Sequence, residues 1–568
     1  MSDPHAAPEV TPTPIATPAH FPIRWGDPME ASLQWIRDRM HFPHTVSPAL
    51  DLFFEAHNAG FVHAFALYEM PLEGLVLRRI NGYAYNAVVP RRLPHDEMMA
   101  MGKRAQQNLG TAMMRSAEHW NDDLLPEVKE HLRFWQEADP AAASLDALIE
   151  HAHETRRRWR RLWEIHFELM VPSLLAGSLF QETYADLFGA EHAFDAFTLL
   201  QGFGNKTTEI NVALWRLARS AGDDVRTVVL DSDPETVAYA LRGSESGRRF
   251  LQAFDAYLQA YGRRSETWEL QYPSWLEDPT PVWRMLREHL TQPDADPEAE
   301  LARLAERRET ALAEARAALA GYPRPVVEHF EAMLRAAQDA AVLSEDHGFY
   351  IDFEGAHHVR QVLLELGRRL AAAGALERAD DVMMLTLDEV LASLNDSPAL
   401  DRRALVDERQ RELAVFGAVE EPEMVGSRQP GPPPEDPVGR AIGRFFGTPP
   451  QPSADADVLK GHAGSPGVVR GVARVARTLS EAQNVRRGEI LVSPMTAPSW
   501  TPLFGTVAGV VTDTGGVLSH SAVVAREYGI PAVVGTLRGT AVVRDGQLIE
   551  IDGSAGTVRL VDRSGDLA

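Results

Sequence analysis

Thr512-Asp513-Thr514-Gly515-Gly516-Val517-Leu518-Ser519-His520-Ser521-Ala522-Val523-Val524-Ala525-Arg526-Glu527-Tyr528-Gly529-Ile530-Pro531-Ala532-Val533-Val534-Gly535 is the stretch on which both fold and chemistry turn. It reads as a strand, a glycine-rich turn, a helix over about 521–528 and a second buried strand. Gly515 and Gly516 let the backbone bend sharply with its amides exposed. Ser519 is a good N-cap residue. His520 then falls in the first turn, where the helix dipole disfavours an imidazolium and unpaired N–H groups attract an anion. A neutral imidazole there is a nucleophile, and the same positive helix end would stabilise a phosphoryl group placed on it. A first-turn histidine taken alone is more often structural, so the flanking sequence has to carry the assignment.

Outward from this stretch, short β-branched runs at 468–475, 489–492, 507–511, 532–534, 547–551 and 557–561 alternate with glycine turns, which predicts a compact β-rich domain over 460–563. Upstream, 420–459 is crowded with proline (Pro430, Pro432, Pro433, Pro434, Pro437, Pro449, Pro450, Pro452) and reads as a linker with one short helix near 439–446. A flexible segment of that length spans roughly 35 Å, so the domain beyond it could travel. Residues 21–419 carry helical periodicity, as in Leu301, Leu304, Ala305, Ala311, Leu312, Ala315 and Leu319, with Gly321 and Pro323 as a stop. The expected architecture is multidomain α plus α/β: a mobile lead-in over 1–20, a large all-helical body, the linker, and a compact β/β/α domain.

Composition narrows the function classes. With 56 basic and 81 acidic residues the 568-residue chain has a net charge of −25, which argues against a nucleic-acid backbone as partner. The absence of cysteine excludes disulfides, a thiol nucleophile and thiolate metal sites, and fits a reducing compartment. No apolar run approaches the ~20 residues of a membrane span, and no signal pattern opens the chain, so a soluble cytoplasmic protein is expected. Gly202-Phe203-Gly204-Asn205-Lys206-Thr207 lacks the glycine a phosphate loop needs before its lysine, and reads as a helix connection. His151, His153, His166, His357 and His358 match no metal-ligand spacing, so no metal is assigned.

The segment around His520 resembles the phosphohistidine swivelling domain of the PEP-utilising enzymes, as do Gly464-Ser465-Pro466-Gly467, Ser493-Pro494-Met495-Thr496, Asp545-Gly546 and Asp552-Gly553. Leu518 departs from the pattern: the dikinases of that family usually carry threonine there, so regulation through that threonine is not expected. In the body, Phe21-Pro22-Ile23-Arg24-Trp25, Asn81-Gly82-Tyr83-Ala84-Tyr85, Leu199-Leu200-Gln201-Gly202, Tyr261-Gly262-Arg263-Arg264, Pro273-Ser274-Trp275-Leu276-Glu277-Asp278-Pro279 and Glu345-Asp346-His347-Gly348-Phe349-Tyr350 follow in order. That series resembles the substrate-binding part of the rifampicin phosphotransferases and, without an ATP-grasp domain, the histidine-bearing subunit of the phenylphosphate synthases.

The resemblance implies a phosphotransferase subunit in which ATP with Mg²⁺ binds a separate ATP-grasp partner, His520 carries the phosphoryl group, and a hydroxyl, phenolic in the synthases, accepts it. Gly515, Gly516, Ser519 and Arg526 are the candidate phosphate-binding residues. An acceptor hydroxyl has to lose its proton, and His347, Asp346 and Glu345 are candidates to help, flanked by Arg263 and Arg264 as charge stabilisers. Tyr83, Tyr85, Trp268 and Trp275, with Glu345, are the candidate acceptor-binding residues. Two other classes stay open: a non-catalytic phosphohistidine carrier or sensor, and a self-contained enzyme that uses phosphoenolpyruvate directly.

Overall fold

The computed structural model describes residues 13–561 apart from 190–191, 193, 266, 293–294, 397–399, 429–438, 441–443, 445–452, 454, 456, 478, 483–484 and 497. The eight prolines named for the expected linker, and most of its expected short helix, lie outside the described residues.

The N-terminal body is built on the 44-residue helix Leu145–Phe188. Ser144 caps it by accepting from the Ala147 N–H at 3.3 Å, and its buried positions Leu148, Ala152, Thr155, Trp159 and Leu162 recur at steps of four and three. That stripe packs against the helices Asp51–Leu67 and Arg324–Gly348 in one large hydrophobic core. Gly60 marks the closest approach of the first pair, for a Cβ there would stand 2.4 Å from the Trp163 carbonyl oxygen. A second, smaller core gathers Leu214, Val229, Phe254, Trp283 and Leu286, with the Phe254 and Trp283 rings stacked at 3.7 Å.

The body is not all helical. Strands β1 (Thr13–Pro14), β2 (Gln34–Arg37), β3 (Leu72–Ile80), β4 (Tyr83–Pro90) and β5 (Met424–Arg428) form an antiparallel sheet in the order β1-β5-β2-β4-β3. Its hairpin turns at Asn81-Gly82, both with positive φ (50° and 80°), the backbone a two-residue hairpin turn requires. This strong local signal is outweighed in a reading dominated by the helices around it. The sheet also moves two expected boundaries: Thr13 and Pro14, placed in the mobile lead-in, pair with Arg428 and Ser427, placed in the linker.

The C-terminal domain is an eight-stranded sheet of β6 (Val458–Lys460), β7 (His462–Ser465), β8 (Val468–Val475), β9 (Ile490–Ser493), β10 (Gly509–Thr512), β11 (Ala532–Val534), β12 (Leu548–Asp552) and β13 (Thr557–Leu560), ordered β6-β13-β12-β8-β9-β10-β11-β7. Strands β8 to β11 run parallel, and β9, β10 and β11 are buried on both faces, which explains their near-continuous apolar sequences. Ile490, Val492, Val511 and Val533 share one core with Ile549 and Ile551, while Leu491, Val510 and Ala532 share the other with Val524 and Ala525 of the helix His520–Glu527.

Gly60 yields a stability prediction. Alanine in a helix interior is favoured over glycine by about 1 kcal/mol, whereas forcing extra bulk into a packed contact costs roughly 1–3 kcal/mol. Gly60→Ala should therefore lower the unfolding free energy measured by chemical denaturation, and Gly60→Leu should lower it further.

Candidate active site at the histidine helix

The parallel strand β10 ends at Thr512, and the chain turns through 513–519 into the helix bearing His520, at the carboxyl end of the strands where open α/β sheets present ligands. The turn is held from several sides. The Asp513 carboxylate accepts from the Thr540 N–H at 3.0 Å and from the Thr540 hydroxyl, the Thr514 N–H donates to Pro494 O at 3.1 Å, and Thr496 and Ser521 hydroxyls meet at 2.8 Å. Gly515 takes φ +97°, and a Cβ there would collide with Ser519 Oγ at 2.8 Å. Ser519 occupies the N-cap position with extended backbone, but its hydroxyl makes no capping bond and is buried without a hydrogen-bond partner. The first-turn N–H groups, which no helix satisfies internally, are thus left without a side-chain cap beside the histidine.

His520 faces the helical body. Its Nδ1 lies 3.5 Å from Glu345 Oε1, both side chains less than one-fifth exposed, and neither ring nitrogen has an aligned hydrogen bond. The other Glu345 oxygen accepts from the Thr207 hydroxyl at 2.6 Å. Burial alone would raise the Glu345 pKa, but His520, the Thr207 hydroxyl and the Arg264 guanidinium together outweigh it and hold the carboxyl down at about 2. Glu527, the last residue of the same helix as His520, is pushed the other way, to about 8, by burial and by the nearby Glu345 charge. Two carboxyls with opposed protonation therefore interact across the domain boundary, and the ionised one, Glu345, stands beside the imidazole. Glu527 went unnoticed in the sequence because its partner lies 182 residues away, at Glu345.

The remaining candidates separate. Asp346 accepts from the Lys206 backbone N–H at 2.7 Å, and burial raises its pKa. Asn205 caps the helix Lys206–Arg219, so Gly202 to Thr207 is a helix connection. Arg264 is buried between the rings of Trp275 (4.8 Å) and Phe353 (4.7 Å), where desolvation lowers it to about 10, and it is a charge neighbour of Glu345. Arg263 instead donates to Gln259 O at 2.9 Å and stands 3.8 Å from Glu354. His347 is 2% exposed, donates from Nδ1 to Leu343 O at 2.7 Å, and packs its ring on His166. The expected single aromatic pocket is not formed: Tyr83 and Tyr85 lie in the core of the five-stranded sheet with their hydroxyls on Phe416 O and Pro422 O, Trp275 sits in the second helical core, and Trp268 packs beside His41. Their clustering required knowledge of which helices meet. Arg526, expected to bind phosphate, is instead buried, donating to Gly464 O and Val517 O and lying 3.5 Å over the Phe197 ring.

Two cavities open where the domains meet. One, about 110 Å³, is walled by Ser173, Gly177 and Ser344 on one side and Leu518, Arg526 and Glu527 on the other. The larger, about 350 Å³, lies between Thr207, Asn211 and His289 and the Phe504, Glu527 and Tyr528 side chains. Arg444 joins the two domains, its guanidinium donating to Ser178 O at 2.7 Å while its carbonyl accepts from the Leu518 N–H at 3.0 Å.

Residues 166–345 match the rifampicin phosphotransferase fourth domain, and residues 485–556 match the mobile domain of PEP-utilising enzymes. The chain is 40% identical to chondramide synthase of Chondromyces crocatus over 96% of its own length and 14% of the synthase. It is 28% identical to the uncharacterised phosphotransferase YvkC of Bacillus subtilis (79% of this chain, 54% of the relative) and 32% identical to a Streptomyces rifampicin phosphotransferase (66% and 42%). The chain thus spans about half or less of the length of these curated relatives. No helix among the described residues is long and apolar enough to cross a membrane.

The depressed Glu345 pKa has a pH consequence. A carboxyl lowered on folding stabilises the folded, docked arrangement fully above its ordinary value of 4.5, and that contribution is lost as pH falls toward about 2. The difference in unfolding free energy between the wild type and Glu345→Gln should therefore be constant from neutrality down to about pH 5 and shrink continuously below it; a difference unchanged into the acid range would contradict the pairing.

Proposed function

We propose that the chain, whose residues 485–556 match the mobile domain of PEP-utilising enzymes, is a phosphotransferase that relays a phosphoryl group through His520 to a hydroxyl acceptor held at the helical body. The observation that carries the reading is the 3.5 Å approach of His520 Nδ1 to Glu345 Oε1 across the domain boundary. An ionised carboxylate beside Nδ1 favours the tautomer with the proton on that nitrogen, which leaves Nε2 as the nucleophile. Attack by Nε2 forms the N–P bond and releases the donor's leaving oxygen. In the second half-reaction the N–P bond breaks, the acceptor oxygen bonds to phosphorus, and the acceptor's proton ends on the imidazole.

Phosphoryl transfer of this kind depends on positioning and charge stabilisation more than on a strong base. That suits Glu345, too acidic to be a good general base, as the group that orients the imidazole and the incoming hydroxyl. Arg264 holds the Glu345 charge in place, and the uncapped first turn behind Ser519, with Gly515 and Gly516, would receive the phosphoryl oxygens. The donor is ATP with Mg²⁺ on a separate ATP-grasp subunit, and transfer follows when the histidine domain swings to the body. The acceptor is a flat hydroxylated compound of phenolic type. The kinship with proteins named for rifampicin supports a bulky aromatic acceptor, and the cavity of about 350 Å³ between the domains has room for part of one.

Incubation with the ATP-grasp partner and labelled ATP should place acid-labile label on the wild-type chain and none on His520→Ala; label retained by the variant would remove His520 from the reaction. Glu345→Gln should still be charged, but its transfer to a phenolic acceptor should fall by about 10²–10⁴-fold in a single-turnover assay.

A further inference from the structure

The helix that presents Glu345 to His520 presents His347 two residues later to a different environment. His347, Asp352 and His166 converge there from two distant chain segments, and one donor atom from each lies within 4.8 Å of the others. His166 Nδ1 is 2.9 Å from Asp352 Oδ1, and the His166 and His347 ring centroids are 4.7 Å apart. His347 and Asp352 are 2% and 8% exposed.

The His347 ring is set in one tautomer. Its Nδ1–H donates to Leu343 O at 2.7 Å, so Nε2 carries a lone pair, and that nitrogen is buried without a hydrogen-bond partner. An unsatisfied buried polar atom costs roughly 1–3 kcal/mol and calls for a reason. A histidine held through one nitrogen by a backbone carbonyl, with the other aimed into a polar cluster, is the arrangement by which metal-ligating histidines are oriented.

The backbone supplies a second indication. The helix Arg324–Gly348 passes directly into a π-helical segment, Phe349–Gly355. On an unbroken α-helix, residues five apart do not share a face, whereas the wider π turn carries Asp352 round toward His347. Such turns recur at functional sites.

We propose that His166, His347 and Asp352 form a binding site for one divalent transition-metal ion, such as Zn²⁺, inside the helical body. Two imidazoles and one carboxylate are borderline donors suited to such ions, and a chain without cysteine can offer no thiolate alternative. The 2.9 Å hydrogen-bond contact between His166 Nδ1 and Asp352 Oδ1 would have to open only to the roughly 3.3 Å that two metal bonds of about 2.0–2.1 Å span at the tetrahedral angle. Three protein ligands leave a coordination position for water or another oxygen. The ion would also tie the helix Leu145–Phe188 to the segment that carries Glu345. Spacing alone could not reveal the site, since His166 and His347 are 181 residues apart.

The test uses the full chain, stripped with a chelator and titrated with Zn²⁺ alone by calorimetry. We expect one saturable ion per chain and a raised thermal midpoint. Asp352→Asn and His347→Gln should each weaken binding by about 10-fold or more, while His520→Ala binds as the wild type does, which keeps this result separate from the phosphoryl relay. Co²⁺ in place of Zn²⁺ should give ligand-field absorption of nitrogen- and oxygen-coordinated cobalt in the wild type, a readout that stands even if a variant misfolds. Absence of saturable binding, absence of the cobalt spectrum, or unchanged affinity in both folded variants would overturn the site.

Discussion

On the proposed relay, a histidine that passes a phosphoryl group between two places must be reachable at the first and sheltered at the second, and the meeting of His520 with Glu345 would answer the second demand. Both groups are mostly withdrawn from water. In that setting an ion pair or charge-assisted contact is stronger than at the surface, but a carboxylate survives only if its neighbours replace the lost hydration. Thr207 and Arg264 do so for Glu345. Each comes from a different element, so the carboxylate's state reports on the packing of the whole body around the helix Arg324–Gly348.

The two domains contribute unequal kinds of order. The histidine domain is a mixed sheet whose parallel strands β9 to β11 are buried on both faces, with the turn at Gly515 hung between β9, β10 and the Thr536–Thr540 loop. Its chemistry is therefore local and rigid. The helical body is assembled from elements far apart in the chain, and its polar interior includes the pairs Asp38–His41 and His166–Asp352, with His347 beside the second, inside an apolar core. Arg444 touches both domains, so the contact that joins them includes a residue of the connecting segment itself.

Local signals were the readable ones. The strands and helix from β8 to β13 fell within a residue or two of their expected places, because short β-branched runs punctuated by glycine have few other outcomes. Asn205 as a helix cap was equally accessible. The hairpin at Asn81-Gly82 carried a readable signal too, yet the helical periodicity on either side dominated, and β1 and β5 are too short and too far apart in sequence to be inferred before the sheet is known. Tyr83 and Tyr85 went into the proposed acceptor pocket for the same reason: aromatic type says a ring will be buried, not with which others.

Residue order by itself determined that His520 sits in the first turn of a short helix after a parallel strand, since turn, cap and strand signals act over a few residues and need no distant partner. Only the tertiary structure decided that Glu345 rather than His347 faces that imidazole, that Glu527 comes near Glu345, and that His166, His347 and Asp352 converge elsewhere. Neighbours on one helix diverge by roughly 100° per residue. Which face meets which partner depends on how helices hundreds of residues apart settle against one another, and packing of that kind leaves no periodic trace in a single chain.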